Sequence, residues 1–387
     1  MSEWKEYKLG EIAVLNYGKA LAENKRISGN VPVYSSAGIT GWHNEPLVNS
    51  EGLIIGRKGT IGKVYYSNTP FFCIDTAYYI LPNEKIYDLK FLFYKLKTVG
   101  FEDLNEDSAV PGLNRETAYN QEVLLPQLPE QKAIASVLSS LDNKIDLLHR
   151  QNATLEKMAE TLFRQWFIEE AKEEWEEGTF EKWILETVGG DWGKESIEGE
   201  FTKAVYCLRG TDIADLNNGL PNKTPIRFIK EKKFQSICPN EGDLIIEVSG
   251  GTENQSTGRI CYINNQVKAL FDYPLVFSNF CRMIRIKKQE FSFFVYCYIQ
   301  YLYNQDEFFN LENGSSGIKN LDYKTLLFDL KYIMPDENSV IKFHNQAKSL
   351  FQKVNQNKIQ IRTLTTLRDT LLPKLMIGEI RVNNDFE

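Results

Sequence analysis

The sequence is poor in the residues that metal and thiol chemistry require. Its 387 residues include only three histidines, and none is spaced to share a metal ion with another. The six cysteines form no CxxC pair and sit among apolar or β-forming residues, which predicts buried free thiols. We therefore predict no metal site and no histidine-based nucleophilic catalysis.

Long apolar runs are also absent. Even FFVYCYI at 293–299, among the longest, falls far short of the ~20 residues that a membrane-spanning helix needs. The N-terminal segment has no apolar core of the length found in signal peptides. Because hydrophobic residues still make up 42% of the chain, enough for packed cores, the sequence predicts a soluble, cytoplasmic, globular protein with no membrane partner.

The chain carries no excess of positive charge. Its net charge is −7, and residues 169–182 alone hold seven acids and two lysines, so the rest is close to neutral. Local basic clusters occur nevertheless at 57–63, 230–233 and 282–288. This distribution argues against general electrostatic binding of nucleic acid but permits binding through local patches or with basic partner subunits.

Motifs for phosphate or methyl-donor chemistry are missing. GRKGTIGKV resembles a phosphate-binding loop, but five residues instead of four separate Gly56 from Gly62, and Val64 stands where Ser or Thr would bind magnesium. No G-x-G-x-x-G opens a predicted helix, and no nuclease-type acidic cluster is evident. We predict no catalytic residue and no cofactor in this chain.

What the chain does contain is a long heptad repeat. From Ile134 onward, steps of four and three residues give a seam of period 3.5, interrupted once by a polar residue. The seam consists of Ile134, Leu138, Leu141, Ile145, Leu148, Asn152, Leu155, Ala159 and Leu162. This pattern is typical of a coiled-coil helix. Pro129 suits its first turn because proline lacks the donor that would go unpaired there.

The same spacing returns 209 residues later, again with a polar residue near its middle. The second seam consists of Phe343, Ala347, Leu350, Val354, Asn357, Ile361, Leu364, Arg368 and Leu371. Pro373 and Gly378 are expected to end this helix. The segment ahead of each helix also corresponds loosely, so the chain is a duplication of a unit of about 200 residues, too large for a solenoid repeat.

Two such helices can cover each other's seams. A pseudo-twofold molecule would pair them antiparallel, and about 40 residues at ~1.5 Å rise would make a spacer of roughly 60 Å. Asn152 and Asn357 would then lie near the middle of the seam, where a buried polar residue fixes the register at some cost in stability. The alternative is a helical hairpin inside an ordinary core, which the long period of 3.5 in both copies disfavours.

The segments ahead of the helices predict mixed α/β units with short strands. LIIGRKGTIGKVYY at 53–66 is typical of a strand, a glycine-rich turn and a second strand, and residues 290–309 are helical by length and periodicity. We predict these boundaries: a globular unit at 1–128, a first helix at 129–170, an acidic connector at 171–185, a second globular unit at 186–338, a second helix at 339–378 and a tail at 379–387.

Glycine-rich loops in both units combine polar and basic side chains that suit recognition of DNA. Glycine lets the backbone approach a ligand closely, Arg can grip guanine, Asn or Gln can read adenine, and Lys holds phosphates. The candidates are Tyr34, Ser35, Ser36, Arg57, Lys58, Thr60 and Lys63 in the first unit, and Arg209, Thr211, Asp212, Ser249, Asn254, Gln255 and Arg259 in the second. For any single residue, a solvated hairpin turn is the alternative.

The order of these segments resembles a known family. LPQLPEQKAIASVLSSLDNKIDLLHRQNATLEKMAETLFRQWF (125–167) and LTTLRDTLLPKLMIGEIRV (364–382), each behind a variable unit, resemble the specificity subunit of type I restriction–modification systems. GRKGTIGK and LRGTDI also look like segments common in the target-recognition domains of that family. The resemblance covers essentially the whole chain.

The resemblance implies an α/β fold with two globular target-recognition domains in pseudo-twofold relation, separated by an antiparallel coiled coil of two long helices. Each domain would read half of a split sequence in double-stranded DNA, and the helices would set the gap. The helices would also dock two methyltransferase subunits, which carry the methyl donor and flip the target adenine. Restriction/translocase subunits would complete the complex, and the chain itself would be non-catalytic. Because the two units differ in their loops, we expect two different half-sites and an asymmetric target.

Two other interpretations stay open at this point. The chain could be a scaffold whose coiled coil joins partner proteins without touching DNA, or it could be a fused nuclease or methyltransferase. The missing motifs argue against an enzyme. Reversing the charges of Arg57 and Lys58 separates a scaffold from a DNA-binding protein, because only the latter would lose an activity.

Overall fold

The structure is a computed structural model and describes residues 4–104, 112–221, 223–314 and 317–382. The chain forms two compact units: unit 1 comprises Met1–Asn143 and Thr365–Glu387, and unit 2 comprises Lys144–Leu364. Both units mix helices and short strands, which confirms the predicted class. Among the described residues, no helix is both long enough and apolar enough to cross a membrane.

The described residues of unit 1 form three small sheets. Its strands are β1 (Lys5–Lys8), β2 (Asn16–Tyr17), β3 (Val31–Ser35), β4 (Gly38–His43), β5 (Gly52–Gly56), β6 (Val64–Ser67), β7 (Phe72–Cys73), β8 (Ala77–Ile80) and β9 (Glu122–Leu125). They assemble in the orders β2-β8-β5-β6, β4-β3-β7 and β1-β9. Strand β5 is apolar throughout because it is covered on both faces: Leu53 and Ile55 enter one core, and Ile54 enters another.

Unit 1 also contains helices. They are α1 (Leu9–Ile12), α2 (Leu89–Leu96), α3 (Arg115–Tyr119) and the beginning of the long helix α4 (Leu128–Arg164). Asp88 starts α2 by accepting a hydrogen bond from the backbone of Phe91 at 2.8 Å. The core of the unit joins β5 and α2 to Leu138 of α4 and to Leu375 from the C-terminal end of the chain.

In the part of unit 2 that the structure describes, the strands form four small sheets. Its strands are β10 (Glu176–Gly178), β11 (Ile184–Gly189), β12 (Phe201–Leu208), β13 (Ile226–Lys230), β14 (Leu244–Glu247), β15 (Ser249–Gly250), β16 (Ile260–Tyr262), β17 (Leu275–Phe277), β18 (Cys281–Ile286), β19 (Glu312–Asn313), β20 (Lys319–Leu321) and β21 (Tyr332–Met334). The sheet orders are β11-β18-β14-β16, β13-β12-β17, β15-β20-β19 and β10-β21.

Three sheets of unit 2 repeat the topology of unit 1. The order β11-β18-β14-β16 matches β2-β8-β5-β6, and β10-β21 matches β1-β9. In the remaining pair, β3 binds β4 antiparallel and β7 parallel, just as β12 binds β13 antiparallel and β17 parallel. The internal duplication inferred from the sequence is therefore present in the fold. The sheet β15-β20-β19 is an addition in unit 2.

The helices of unit 2 are α5 (Asp212–Asn217), α6 (Glu231–Ile237), α7 (Asn265–Lys268), α8 (Ser292–Asn304) and the long helix α9 (Glu337–Met376), most of which lies in this unit. The predicted acidic connector at 171–185 contributes residues to the core of unit 2. It supplies strand β10, and its Phe180 and Trp183 are fully buried. The apolar positions, rather than the acids between them, decide where this segment lies. The boundaries of this segment, like all the other predicted boundaries, stay predictions.

The ends of the long helices differ in detail from the sequence interpretation. Helix α4 closes with a π-helical turn at Gln165–Glu169. Helix α9 continues through Pro373, which was expected to end it, and stops at Met376. Its end is set by Gly378, whose φ of 73° is left-handed, and by Lys95, whose ammonium donates to the carbonyl of Met376 at 3.0 Å.

Candidate DNA interface and helix pair

The loop between β5 and β6 presents three of the predicted residues to solvent. Lys58, Thr60 and Lys63 are exposed, although Lys63 pairs with Glu102 at 2.8 Å. Glycine is required within this loop: Gly62 has a φ of 75°, and a Cβ there would lie 2.4 Å from the backbone nitrogen of Glu102. The tight turn therefore holds its basic side chains at a fixed edge of the sheet.

Arg57, at the start of the same loop, lies against aromatic rings. Its guanidinium carbon is 4.9 Å from the centre of the Tyr17 ring, and its Nη1 donates to the carbonyl of Asp75 at 3.1 Å. Arg115 approaches Tyr17 as well, at 5.0 Å. The sequence interpretation did not include Tyr17 or Arg115, because they are distant from Arg57 along the chain and no motif connects them.

Tyr34, Ser35 and Ser36 were predicted to face a ligand, but all three are buried. The Ser35 hydroxyl accepts from the backbone of Ala37 at 3.1 Å and donates to the carbonyl of Gly38 at 3.2 Å, so it holds the turn between β3 and β4. The polar atoms of Ser35 thus shape the loop, and a role of these three residues in contacting DNA stays a prediction.

In unit 2, two predicted arginines form internal ion pairs. Arg209 grips Asp212 with Nε and Nη2 at 2.9 and 2.7 Å, and Arg259 grips Glu247 at 2.9 and 2.6 Å. Both carboxylates are buried, and each raises the pKa of its arginine. These bidentate pairs position the loops, and breaking either would leave a buried carboxylate unpaired.

The remaining candidates of unit 2 lie at its surface. Thr211, Asn254 and Gln255 are exposed, and Ser249 is partly exposed. Gln255 donates to the hydroxyl of Tyr303 at 3.3 Å, and the Ser249 hydroxyl donates to Asn320 at 2.5 Å. The loop 251–259 thus offers amide and hydroxyl groups, whereas the corresponding hairpin loop of unit 1 offers lysines.

The two long helices pair antiparallel within unit 2. Ile145 and Leu148 of α4 pack with Ile361 of α9, while Phe163, further along α4, packs 6.1 Å from Phe343, earlier in α9. The predicted seam positions Leu148, Asn152, Ile145, Val354, Asn357 and Ile361 are buried in this unit, and Leu155, Leu350 and Leu364 are partly buried.

The same antiparallel pairing continues within unit 1. Leu138 is buried and Leu141 partly buried, and Leu138 shares a core with Leu375. Arg368, which falls on the seam, donates to Asp142 at 2.8 Å, and the Tyr94 hydroxyl donates to the same carboxylate at 2.6 Å. Burial together with this bond raises the pKa of Tyr94 well above its ordinary value.

Potential metal ligands were compared across the part of the chain that the structure describes. Within it, no group of three or more His, Cys, Asp or Glu side chains is placed to hold a metal ion. Lys358, which follows Asn357 in α9, is buried, and burial lowers its pKa.

Comparison with known proteins agrees with this geometry. Residues 1–157 match the family model of the type I restriction modification DNA specificity domain. The type I restriction enzyme MjaIX specificity subunit of Methanocaldococcus jannaschii is 25% identical over 357 residues, covering 85% of this chain and 78% of that protein. The HindI specificity subunit of Haemophilus influenzae is 22% identical and covers 98% of this chain and 100% of that protein.

A solved structure shares the fold. The crystal structure of a type I restriction–modification S subunit from M. genitalium superposes with a TM-score of 0.63 over 97% of this chain and 96% of that chain, at 20% identity. The fold of this chain, with its two duplicated units and long helices, is therefore shared with that S subunit. The chain is thus similar to the specificity subunits of type I restriction–modification systems, in agreement with the family that its sequence resembles.

Proposed function

We propose that this chain is the sequence-specific DNA-binding subunit of a type I restriction–modification complex, in which each unit reads one half of an asymmetric bipartite target. The observation that supports it most directly is the repeated hairpin. Strands β5–β6 in unit 1 and β14–β16 in unit 2 occupy the same place in the repeated topology but carry different loops. Two unlike polar loops on one scaffold suit two different half-sites.

The helix pair is proposed to set the gap between the half-sites and to dock two methyltransferase subunits and, through them, restriction/translocase subunits. Antiparallel pairing over two long helices supports a rigid spacer. Apolar side chains also remain exposed on the helices, namely Leu147, Met158 and Leu367, with 40%, 52% and 45% of their surface accessible. Such residues on an otherwise polar helix face suit a partner helix.

The function is tested by co-expressing the chain with the methyltransferase encoded beside it and mapping modified adenines across the host genome. We expect one asymmetric motif of two short parts separated by a fixed gap. A palindromic motif would contradict unlike half-sites. Absence of any motif, with the complex intact, would rule out sequence-specific DNA binding.

Charge reversal distinguishes the proposed function from a scaffold that does not bind DNA. Replacing Arg57 and Lys58 with glutamate should leave assembly with the methyltransferase intact and abolish DNA binding, because two attractive charges become repulsive. Lys85→Glu is the matched control, since Lys85 is exposed in the same unit and away from this loop. A charge-reversed variant that still binds its target would favour the scaffold.

A further inference from the structure

Three segments of unit 1 that are far apart in the sequence converge on one aromatic ring. The guanidinium carbons of Arg57 and Arg115 lie 4.9 and 5.0 Å from the centre of the Tyr17 ring. Arg57 also lies 5.7 Å from the Tyr78 ring, which is itself 5.1 Å from Tyr17. Two like charges are thus held close together by aromatic rings.

Arg57 hydrogen-bonds with the side chain of Tyr78, but at least one donor of the two arginines has no acceptor among the described residues. Nη1 of Arg57 donates to the carbonyl of Asp75. Nε of Arg115 is buried without a partner among the residues that the structure describes. Within the same residues, neither guanidinium forms an ion pair with a carboxylate, in contrast to Arg209 and Arg259 of unit 2. A buried donor without an acceptor is unfavourable, so this cluster is suited to a ligand that brings acceptors.

The cluster lines an open concavity of about 310 Å³. Lys58 adds a third positive side chain to its wall, and Glu116 adds a single negative one. Tyr17 leaves 46% of its surface exposed there, although it carries two cations. The excess of positive charge favours a ligand with closely spaced acceptor atoms, and the size suits one edge of a nucleotide rather than a whole duplex.

We propose that Tyr17, Arg57 and Arg115 form a reading site for guanine in the first half of the target, an inference that rests on the proposed function. Guanine presents O6 and N7 side by side in the major groove, which matches the fork of an arginine. Stacking on tyrosine fixes the plane of a guanidinium and therefore the direction of its donors. A base edge needs that direction, whereas a phosphate is satisfied by a mobile charge such as the exposed Lys58.

The test uses the full chain in complex with its methyltransferase subunits. Once the wild-type motif is known, binding is measured on duplexes substituted at each position of the first half-site. Arg115→Lys and Arg57→Lys keep the charge but remove the fork. We expect each to reduce the preference for guanine at one position by roughly tenfold to a hundredfold. Preferences in the second half-site should not change, and Lys85→Ala should alter none.

The tyrosine is a positioning residue, so its replacements give a separate readout. Tyr17→Phe keeps the ring and should keep the preference for guanine, whereas Tyr17→Ala should lose it at the same position as the arginine variants. Thermal unfolding of each complex confirms that the variants are folded. If one of the two arginine variants does not fold, the other still tests the proposal.

Two outcomes would overturn the reading site. Unchanged preferences at every position in folded lysine variants would show that the cluster contacts no base. If binding instead becomes uniformly weaker on all sequences, and its salt dependence falls by the amount expected for about one lost phosphate contact, the cluster binds a phosphate. A wild-type complex that selects no sequence at all would refute the proposed function itself. The variants test only the reading site, because they are compared with a motif already determined for the wild type.

Discussion

Asn357 donates a hydrogen bond from its Nδ2 to Oδ1 of Asn152 at 2.9 Å, between the two long helices of unit 2. Both side chains are buried, so neither amide has water as an alternative partner. Sliding one helix by a turn would separate the two amides and bury each against apolar seam residues. The pair therefore selects one register among several that the apolar residues alone would permit.

Removing one member of this pair should destabilise unit 2. Asn357→Leu leaves the buried amide of Asn152 unpaired, and we expect the free energy of unfolding to fall by about 1–3 kcal/mol. The double variant Asn152→Leu/Asn357→Leu should recover this loss, because an apolar pair replaces the polar pair. Urea denaturation followed by circular dichroism measures both. A single variant as stable as the wild type would show that the hydrogen bond does not stabilise the pair.

A second polar contact holds the helices in unit 1. Asp142 accepts hydrogen bonds from Arg368 and Tyr94, and both members of the ion pair are mostly covered. Asp142→Asn should lower the free energy of unfolding by about 1–2 kcal/mol, since both bonds involve a charged group. Asp146→Asn is the control: Asp146 pairs with Arg150 in an exposed contact on the same helix and should cost less than about 0.5 kcal/mol. Equal losses would mean that burial is irrelevant here.

The start of α9 should make stability depend on pH. Asp336 accepts hydrogen bonds from the hydroxyl and the backbone of Ser339 and from the Trp175 indole, and these bonds, led by that of the hydroxyl, hold the pKa of Asp336 well below its ordinary value. A group with a lowered folded-state pKa stabilises the fold above its unfolded pKa of about 3.9 and loses that contribution as pH falls through the folded value.

Asp336→Ala should therefore cost about 1 kcal/mol at pH 7, and the cost should shrink as pH falls below about 4. Asp336→Asn separates the two causes, because asparagine can still cap the helix but carries no charge. Unfolding free energies of the three proteins from pH 7 down to pH 3 provide the measurement. A difference between wild type and Asp336→Ala that stays constant down to pH 3 would contradict the lowered pKa.

The helix pair could be predicted from sequence because its signal is periodic and local. Seam residues such as Leu148 and Ile361 recur at 3.5-residue spacing, and one helix can bury such a seam only against another. The helix end was harder to place. Pro373 is tolerated inside α9, so the end of the helix depends on Gly378 and on Lys95, which lies 281 positions before Met376 and is connected to it by no local rule.

The candidate recognition surface is less predictable, because neighbouring side chains decide which polar residues are available to bind a ligand. Arg259 is of a residue type that often contacts DNA, but its guanidinium donates two hydrogen bonds to Glu247. Arg57 lacks such a carboxylate and instead meets Tyr17 and Arg115, which tertiary structure alone brings together. Loop composition therefore predicts a general region for recognition, whereas the pairing of individual side chains depends on the tertiary structure.

The spacer role can be tested by lengthening both helices equally. One heptad inserted after His149 in α4 and one after Gln360 in α9, at facing levels of the antiparallel pair, preserve the seam and add about 10 Å at ~1.5 Å per residue. We expect the gap between half-sites to grow by about three base pairs at 3.4 Å each, with both half-sites unchanged. Sequencing of modified sites gives the new gap directly. A heptad in only one helix is the control, because it shifts Asn357 away from Asn152 and should impair folding. An unchanged gap in the doubly extended protein would show that some other element measures the distance, since the extension alters no recognition loop.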